Sequence, residues 1–260
     1  MEKWRGKWAL VTGASSGIGW AIAEQLAAQG ANLVLTARRA DRLAKLAEGV
    51  TARHKVQAQI FAADLARPEA PSQILRFTEQ QRLSIEILIN NAGFGAYGEF
   101  RKVEAKRFLD MVQVNVAAVV HLTHLFLPPM VERRSGYIMI VASTAAFQPV
   151  PYISAYAATK GFDLLFAEGL AEEVRRYGVN VCALCPGSTA SEFNEVAGQP
   201  RMPGAQESNE KVARVGLKAL AEGKPRVISG ARNWLSVEAQ RIAPRRLVTK
   251  VAARMFMPPQ

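Results

Sequence analysis

Of the five tyrosines in the chain, only Tyr156 is followed four residues later by a lysine, Lys160. At that spacing in a helix, both side chains project from one face. A free phenol titrates at about pH 10, too high for efficient proton transfer near neutrality. An ammonium about 4 Å from the phenolate, at an effective dielectric of about 20, is worth roughly 4 kcal/mol. That is about three pKa units, less whatever burial takes back. A phenol so adjusted can donate a proton to a reacting oxygen or take one back from it. A hydroxyl hydrogen-bonded to the same oxygen would stabilise charge developing there. Ser143 and Thr144, just past the apolar run Tyr137–Val141, are both placed to supply it.

The N-terminal part of the chain offers a seat for a phosphorylated cofactor. Val11-Thr12-Gly13-Ala14-Ser15-Ser16-Gly17-Ile18-Gly19 joins an apolar run to a helical pattern. Backbone N–H groups at a helix N-terminus attract phosphate. Gly13 allows a tight turn, Gly17 lets the chain approach a pyrophosphate, and Gly19 brings helix close to strand. These roles parallel the dinucleotide fingerprint, with spacing Gly-x-x-x-Gly-x-Gly instead of Gly-x-Gly-x-x-Gly. About 20 residues on, an acidic residue would bind a ribose 2′-hydroxyl. Ala37 stands there, followed by Arg38 and Arg39, and guanidinium groups suit a 2′-phosphate. NADP(H) is therefore expected over NAD(H), and its positively charged nicotinamide would further acidify Tyr156.

The elements that must position these residues alternate from end to end. Trp8–Val11, Leu33–Leu35, Val56–Phe61, Ile85–Ile89, Tyr137–Val141, Val179–Cys185 and Arg226–Ile228 have strand length and β-branched content. Helical patterns lie between them: Ile18–Gln29 stopping at Gly30, Arg39–Glu48 at Gly49, and Tyr156–Tyr177 at Gly178. Val112–Leu127 reads as a buried helix, because Gln113, Asn115, His121 and His124 interrupt its apolar run. Strand–helix alternation requires crossovers, hence a parallel sheet covered on both faces. The expected fold is one doubly wound, Rossmann-like α/β domain over 1–260.

The ordered set of motifs resembles the short-chain dehydrogenase/reductase family across most of the chain. Thr12 to Gly19 matches that family's Thr-Gly-x-x-x-Gly-x-Gly, and Asn90-Asn91-Ala92-Gly93 its Asn-Asn-Ala-Gly. Asn115 stands where the family has a helix-breaking catalytic Asn. Ser143 lies 13 residues before Tyr156, a spacing that favours it over Thr144, and Tyr156-Ala157-Ala158-Thr159-Lys160 gives the Tyr-x-x-x-Lys. The resemblance implies a seven-stranded parallel sheet and a catalytic set of Asn115, Ser143, Tyr156 and Lys160. Lys160 would also bind the nicotinamide ribose, and Asn115 would hold a water that relays protons to it. Cofactor contacts carried over by position are Gly13, Ser15, Ser16, Gly17, Ile18, Gly19, Arg38, Arg39, Asp64, Leu65, Asn91, Ala92, Gly93, Pro186, Gly187, Thr189 and Ser191. The family usually has Thr at the last of these; Ser191 keeps the hydroxyl and loses a methyl. Dimers or tetramers through the helices beginning near Asn115 and Tyr156 are implied as well.

Composition narrows the alternatives. The chain has 260 residues, 49% hydrophobic and 21% charged, which excludes disorder and fibrous repeats. Its formal charge of +11 admits nucleic acid, membrane or a phosphorylated cofactor as anionic partner. From Gly223 onward Lys224, Arg226, Arg232, Arg241, Arg245, Arg246, Lys250 and Arg254 face one acid, Glu238, with apolar residues interspersed. Such a tail at about 231–260 can lie on an anionic membrane; packing on its own domain or on a neighbouring subunit is the favoured reading. No nucleic-acid motif accompanies the charge. Cys182 and Cys185 sit in a strand whose extended geometry puts them about 10 Å apart, beyond disulfide reach. No further zinc ligands accompany them, no metal is expected, and His54, His121 and His124 match no site. The N-terminus lacks the apolar region of a secretory signal, so a cytoplasmic enzyme is expected. A nucleotide-sensing binding protein without turnover is the alternative. Substrate contacts are expected from Phe94–Tyr97, Gln148–Tyr152 and a lid at Glu192–Gln206, lining a moderately apolar site for a carbonyl or alcohol, with acyl thioesters and lipids suggested by the tail's charge.

Overall fold

The computed structural model describes residues 3–200 and 206–258. Seven strands form one sheet: β1 (Trp8–Thr12), β2 (Asn32–Ala37), β3 (Ala58–Ala62), β4 (Ile85–Asn90), β5 (Gly136–Val141), β6 (Val179–Cys185) and β7 (Arg226–Ile228). Their order is β3-β2-β1-β4-β5-β6-β7 and every pairing is parallel. All seven expected strands are present, most within a residue or two of the expected bounds.

Alternation along each strand feeds two separate cores. Val11, Leu33, Leu35, Ile87, Ile89 and Met139 face one side, packed under α1 (Gly17–Ala28), α2 (Ala40–His54) and α8 (Asn209–Ala221). Leu10, Val34, Leu88, Ile138 and Ile140 face the other, under α3 (Ala70–Gln80), α5 (Ala118–Glu132) and α6 (Ser154–Val174). Cys182 belongs to the first core and Cys185 to the second. Both thiols are free and buried, and burial pushes each up to about 12.

Two helices differ from expectation. Gly49 does not stop α2, which continues to His54 and ends on left-handed Lys55 (φ 58°). Val50 is fully buried beneath that extra turn and Arg53 pairs with Glu24, so packing overrides the glycine. The expected 112–127 helix is part of a longer run: α4 (Ala105–Val112), a π-helical turn at Gln113–Ala117, then α5 through Pro128 and Pro129 to Glu132. By length and composition Ala105–Glu132 is apolar enough to cross a membrane, whereas its polar interruptions had pointed to a buried core helix. Met111, Leu122, Phe126 and Met130 of this run are buried within the domain. After β6 come α7 (Phe193–Ala197), and after β7 come α9 (Ala231–Ile242) and α10 (Arg245–Phe256).

The chain reverses its winding direction between β1 and β4. In doubly wound sheets that switch point, at the strands' C-terminal ends, is where a crevice opens.

Candidate active site

A cavity of about 490 Å³ lies at this crevice. It is lined at one end by Gly13, Ser15, Ser16, Gly17, Ile18, Arg38, Arg39, Asp64, Leu65, Asn91, Ala92 and Gly93. At the other end stand Ser143, Tyr156, Lys160, Pro186, Gly187 and Thr189, and Ser191 lies against Gly17. The two remaining sequence-identified residues, Gly19 and Asn115, are buried in its supports.

The glycine-rich end is fixed by a clamp from β4. Thr12 Oγ1 accepts the backbone N–H groups of Asn91 and Ala92, both at 2.9 Å. The Asn91 amide donates back to the Thr12 carbonyl at 2.9 Å and to Gly13 O at 3.2 Å. The Asn91 side chain thus holds the loop, and the residue also lines the cavity. Gly13 has φ +65°, and a Cβ there would lie 2.7 Å from that amide. Gly17 has φ +59° and faces Ser191, whose Cβ is 3.2 Å from where a Gly17 Cβ would project. Ser16, at the N-cap of α1, makes no side-chain hydrogen bond to the helix. The first turn is therefore left without a side-chain cap where Ser16, Gly17 and Ile18 line the cavity.

Arg39 crosses this loop. Its guanidinium donates to Ser15 Oγ at 3.0 Å and Ser16 Oγ at 2.9 Å, and pairs with Glu192 at 2.7 Å. Arg42 pairs with the other oxygen of Glu192 at 2.5 Å. The Arg42 and Arg39 hydrogen bonds hold that carboxyl at about 2, outweighing its partial burial. Arg38 is exposed along the same rim.

At the far end, α6 presents Tyr156 and Lys160 on one face, both less than a tenth exposed. Lys160 Nζ donates to the Val141 carbonyl at 2.8 Å and to Asp163 Oδ2 at 2.9 Å, and lies 5.9 Å from the Tyr156 ring centroid. Burial pushes the Tyr156 phenol above its ordinary value, more than Lys160 and Ser143 draw it down, and Asp163 adds to the rise. The expected acidification by Lys160 is therefore overtaken by desolvation and by a countercharge on the same ammonium. Ser143 caps a short 3₁₀ turn, its Oγ accepting the Ala145 N–H at 3.1 Å. Asn115 stands where the regular α-helix is interrupted between α4 and α5. It sits in the π turn, where its side chain accepts from Phe94 N at 3.1 Å and donates to Phe94 O at 3.0 Å and Thr159 Oγ1 at 3.1 Å. Such turns recur where a side chain must leave the regular helical ladder.

Residues 7–201 match the family described as short chain dehydrogenase. The chain belongs to this family. It is 35% identical over 202 residues to the very-long-chain 3-oxoacyl-CoA reductase of Homo sapiens, covering 74% of this chain and 62% of that protein. It is 33% identical over 183 residues to the inactive hydroxysteroid dehydrogenase-like protein 1 of Homo sapiens, covering 70% of this chain and 55% of the relative. The chain thus spans little more than half the length of such curated relatives. Among solved structures, a short-chain dehydrogenase from Sphingobium yanoikuyae in complex with NADPH superimposes with TM-score 0.82 at 31% identity, covering 90% of this chain and 93% of that one.

Several cleft residues lie outside the motifs that mark a short-chain dehydrogenase. Phe193 packs against Tyr156, ring centroids 5.0 Å apart. Phe256 of α10 reaches the same wall from the basic tail, so part of that tail packs on its own domain. Arg107 of α4 lies over the Phe94 ring at 4.3 Å and donates to the Val196 carbonyl at 2.6 Å. Phe94 lines the cavity as expected, whereas from the neighbourhood of Gln148–Tyr152 it is Ile153 that does so. The expected lid is a short helix, α7, fastened by Arg107, by Tyr97 N–H to Ala197 O at 3.1 Å, and by Glu192. Its portion at 201–205, with Pro203 and Gly204, lies outside the described residues. Asp163 and Phe256 were missed in the sequence, and Glu192 was expected in the lid but not against Arg39 and Arg42. Only Asp163 carried a local signal, an acid three residues beyond the lysine on one helix.

Proposed function

We propose that this member of an oxidoreductase family interconverts a carbonyl and a secondary alcohol with NADP(H), Tyr156 serving as general acid–base. One observation carries the reading: Ser143, Tyr156 and Lys160 converge at one end of a cleft whose other end is an anion-binding loop crossed by Arg39. The residues present fit the cofactor. Gly13 and Gly17 leave a cradle that a Cβ would fill, the α1 N-terminus offers backbone donors, and Arg38 and Arg39 suit a 2′-phosphate. The solved Sphingobium relative is itself described as a complex with NADPH. When bound, the nicotinamide would supply or accept the hydride.

Each protein group then has a defined task. A phenol raised by burial keeps its proton at neutral pH and is set to donate it to a substrate oxygen. Ser143 would hydrogen-bond that oxygen as charge develops. Lys160 and the backbone at Gly187 and Thr189 would orient the nicotinamide half. Phe94, Ile153, Phe193 and Phe256 give the substrate end an apolar wall, suited to an acyl or otherwise lipid-like ketone, and one curated relative is named as a 3-oxoacyl-CoA reductase. Val112, Val120, Phe162 and Leu165 remain exposed on the helical run and α6, favouring assembly into a dimer or tetramer through those faces.

The test is NADPH oxidation against a panel of ketones and 3-oxoacyl thioesters. Tyr156→Phe should lower turnover by about 10²–10⁴-fold while leaving NADPH affinity within a few-fold. A variant retaining wild-type kcat would remove Tyr156 from the acid–base role. NADPH binding by the wild type without turnover on any of the panel would favour a sensing protein, as the inactive relative invites.

A further inference from the structure

Asp163 lies three residues beyond Lys160 on α6, and none of its surface reaches solvent. Its neighbours along that face, Leu164, Ala167, Leu170 and Val174, belong to an apolar core. Oδ2 accepts from Lys160 Nζ at 2.9 Å, while Oδ1 has no hydrogen-bond partner among the described residues. A buried carboxylate with a bare oxygen is an expensive group, and a well-packed apolar side chain would be cheaper for folding. Its retention calls for a reason in what it does to Lys160.

We propose that Asp163 is a positioning residue for proton transfer, holding Lys160 as an ammonium and aiming its remaining N–H into the cleft. This rests on the acid–base reading of the site given above. An ammonium has three donors. Val141 O takes one at 2.8 Å and Asp163 takes another. The third is left on the side where Lys160 lines the cavity, 3.4 Å from the point a Cβ on Gly93 would occupy. Two fixed acceptors at its rear thus set the direction of a side chain that otherwise swings on four carbons.

Charge points the same way. The titratable groups acting on Lys160 are Tyr156 and Asp163 from its own helix and Cys185 from β6. Burial holds the Cys185 thiol up at about 12, so it is neutral. Ser143 and Asn115 bring only neutral dipoles nearby. Asp163 is therefore the acidic countercharge among these groups, its own carboxyl raised by burial more than Lys160 draws it down. Burial would drive the lysine toward its neutral amine, and Asp163, with Tyr156, outweighs it.

The experiment follows Lys160 directly in the cofactor-free protein. Lysine is labelled with ¹³C at the ε-carbon, and the Lys160 signal is assigned by its loss in Lys160→Arg. In the wild type it should stay charged past the ordinary lysine midpoint of about 10.4. In Asp163→Asn the midpoint should fall by about one pH unit or more, and Asp163→Glu should restore most of it. Thermal melting verifies folding, and Asp163→Ala is the neutral variant used should the Asn variant not fold. In NADPH-dependent ketone reduction, the neutral variant should lose about tenfold in kcat with KM little changed, and its alkaline limb should move down with the lysine. An unmoved Lys160 midpoint overturns the proposal, as does an unmoved alkaline limb. Should the wild type reduce no ketone, the hydride-transfer reading fails separately, and the lysine titration still decides the role of Asp163.

Discussion

The two ends of the cleft are made of different material. Around β1 and β4 the working surface is main chain: two glycines with positive φ, an open helix N-terminus, and an Asn91–Thr12 clamp that leaves little freedom. Around α6 the surface is side chain, gathered from separate elements: Phe94, Ile153, Phe193 and Phe256 for shape, Tyr156 and Lys160 for chemistry. A main-chain surface binds whatever shares one backbone-sized charged group and tolerates almost no substitution. A side-chain surface can be retuned one residue at a time. The division suits a constant cofactor paired with a variable substrate.

Gly13→Ala attacks the main-chain end and should have the largest effect. Its Cβ would meet the Asn91 amide at 2.7 Å and Ala92 Cα at 2.9 Å from a left-handed backbone, with main chain that cannot step aside. We expect a loss of about 2–3 kcal/mol in urea denaturation, together with loss of NADPH binding. An unchanged midpoint would mean the clamp is looser than its distances imply. Arg39→Ala should weaken NADPH by about 10–100-fold and NADH only slightly, as removal of a charge-assisted contact would. Arg38→Ala, drawn from the same pair, tests whether the exposed neighbour shares that task. Equal losses for both cofactors would put neither arginine on a 2′-phosphate. Phe256→Ala belongs to the side-chain end and should have the smallest effect: kcat/KM for apolar ketones down by about 3–10-fold, with NADPH affinity unchanged in fluorescence titration. A loss of cofactor affinity would show that the two ends are not independent.

The same division decides what could be read from the sequence. Main-chain features leave marks at fixed spacing, so Gly13, Gly17 and Gly19 announce their roles, and strand–helix alternation announces the sheet. Tyr156 and Lys160 were legible because one helix carries both. Glu192 was not, since it finds Arg39 more than a hundred residues away through the fold. Phe256 was hidden for the same reason: the tail was expected to pack on its own domain or on a neighbouring subunit, and nothing local told that this ring meets the cleft. The balance at Tyr156 escaped for a different reason: spacing reveals the lysine but not the depth of burial or the countercharge behind it. Gly49 misled because a stop signal is overridden when the next turn buries Val50.

Glu192 occupies the guanidinium of Arg39. Its carboxyl, held at about 2 by Arg42 and Arg39, keeps its charge through any ordinary assay; its stabilising effect is complete above its unfolded value of about 4.3 and is lost only as pH falls through about 2. On the NADP(H) reading, a 2′-phosphate reaching Arg39 must evict a tenant. Affinity for the phosphorylated cofactor then becomes the difference between two ion pairs, smaller than either alone and less sensitive to salt than a free arginine pair would be. The residue that follows Glu192 in the chain is Phe193, whose ring leans against Tyr156.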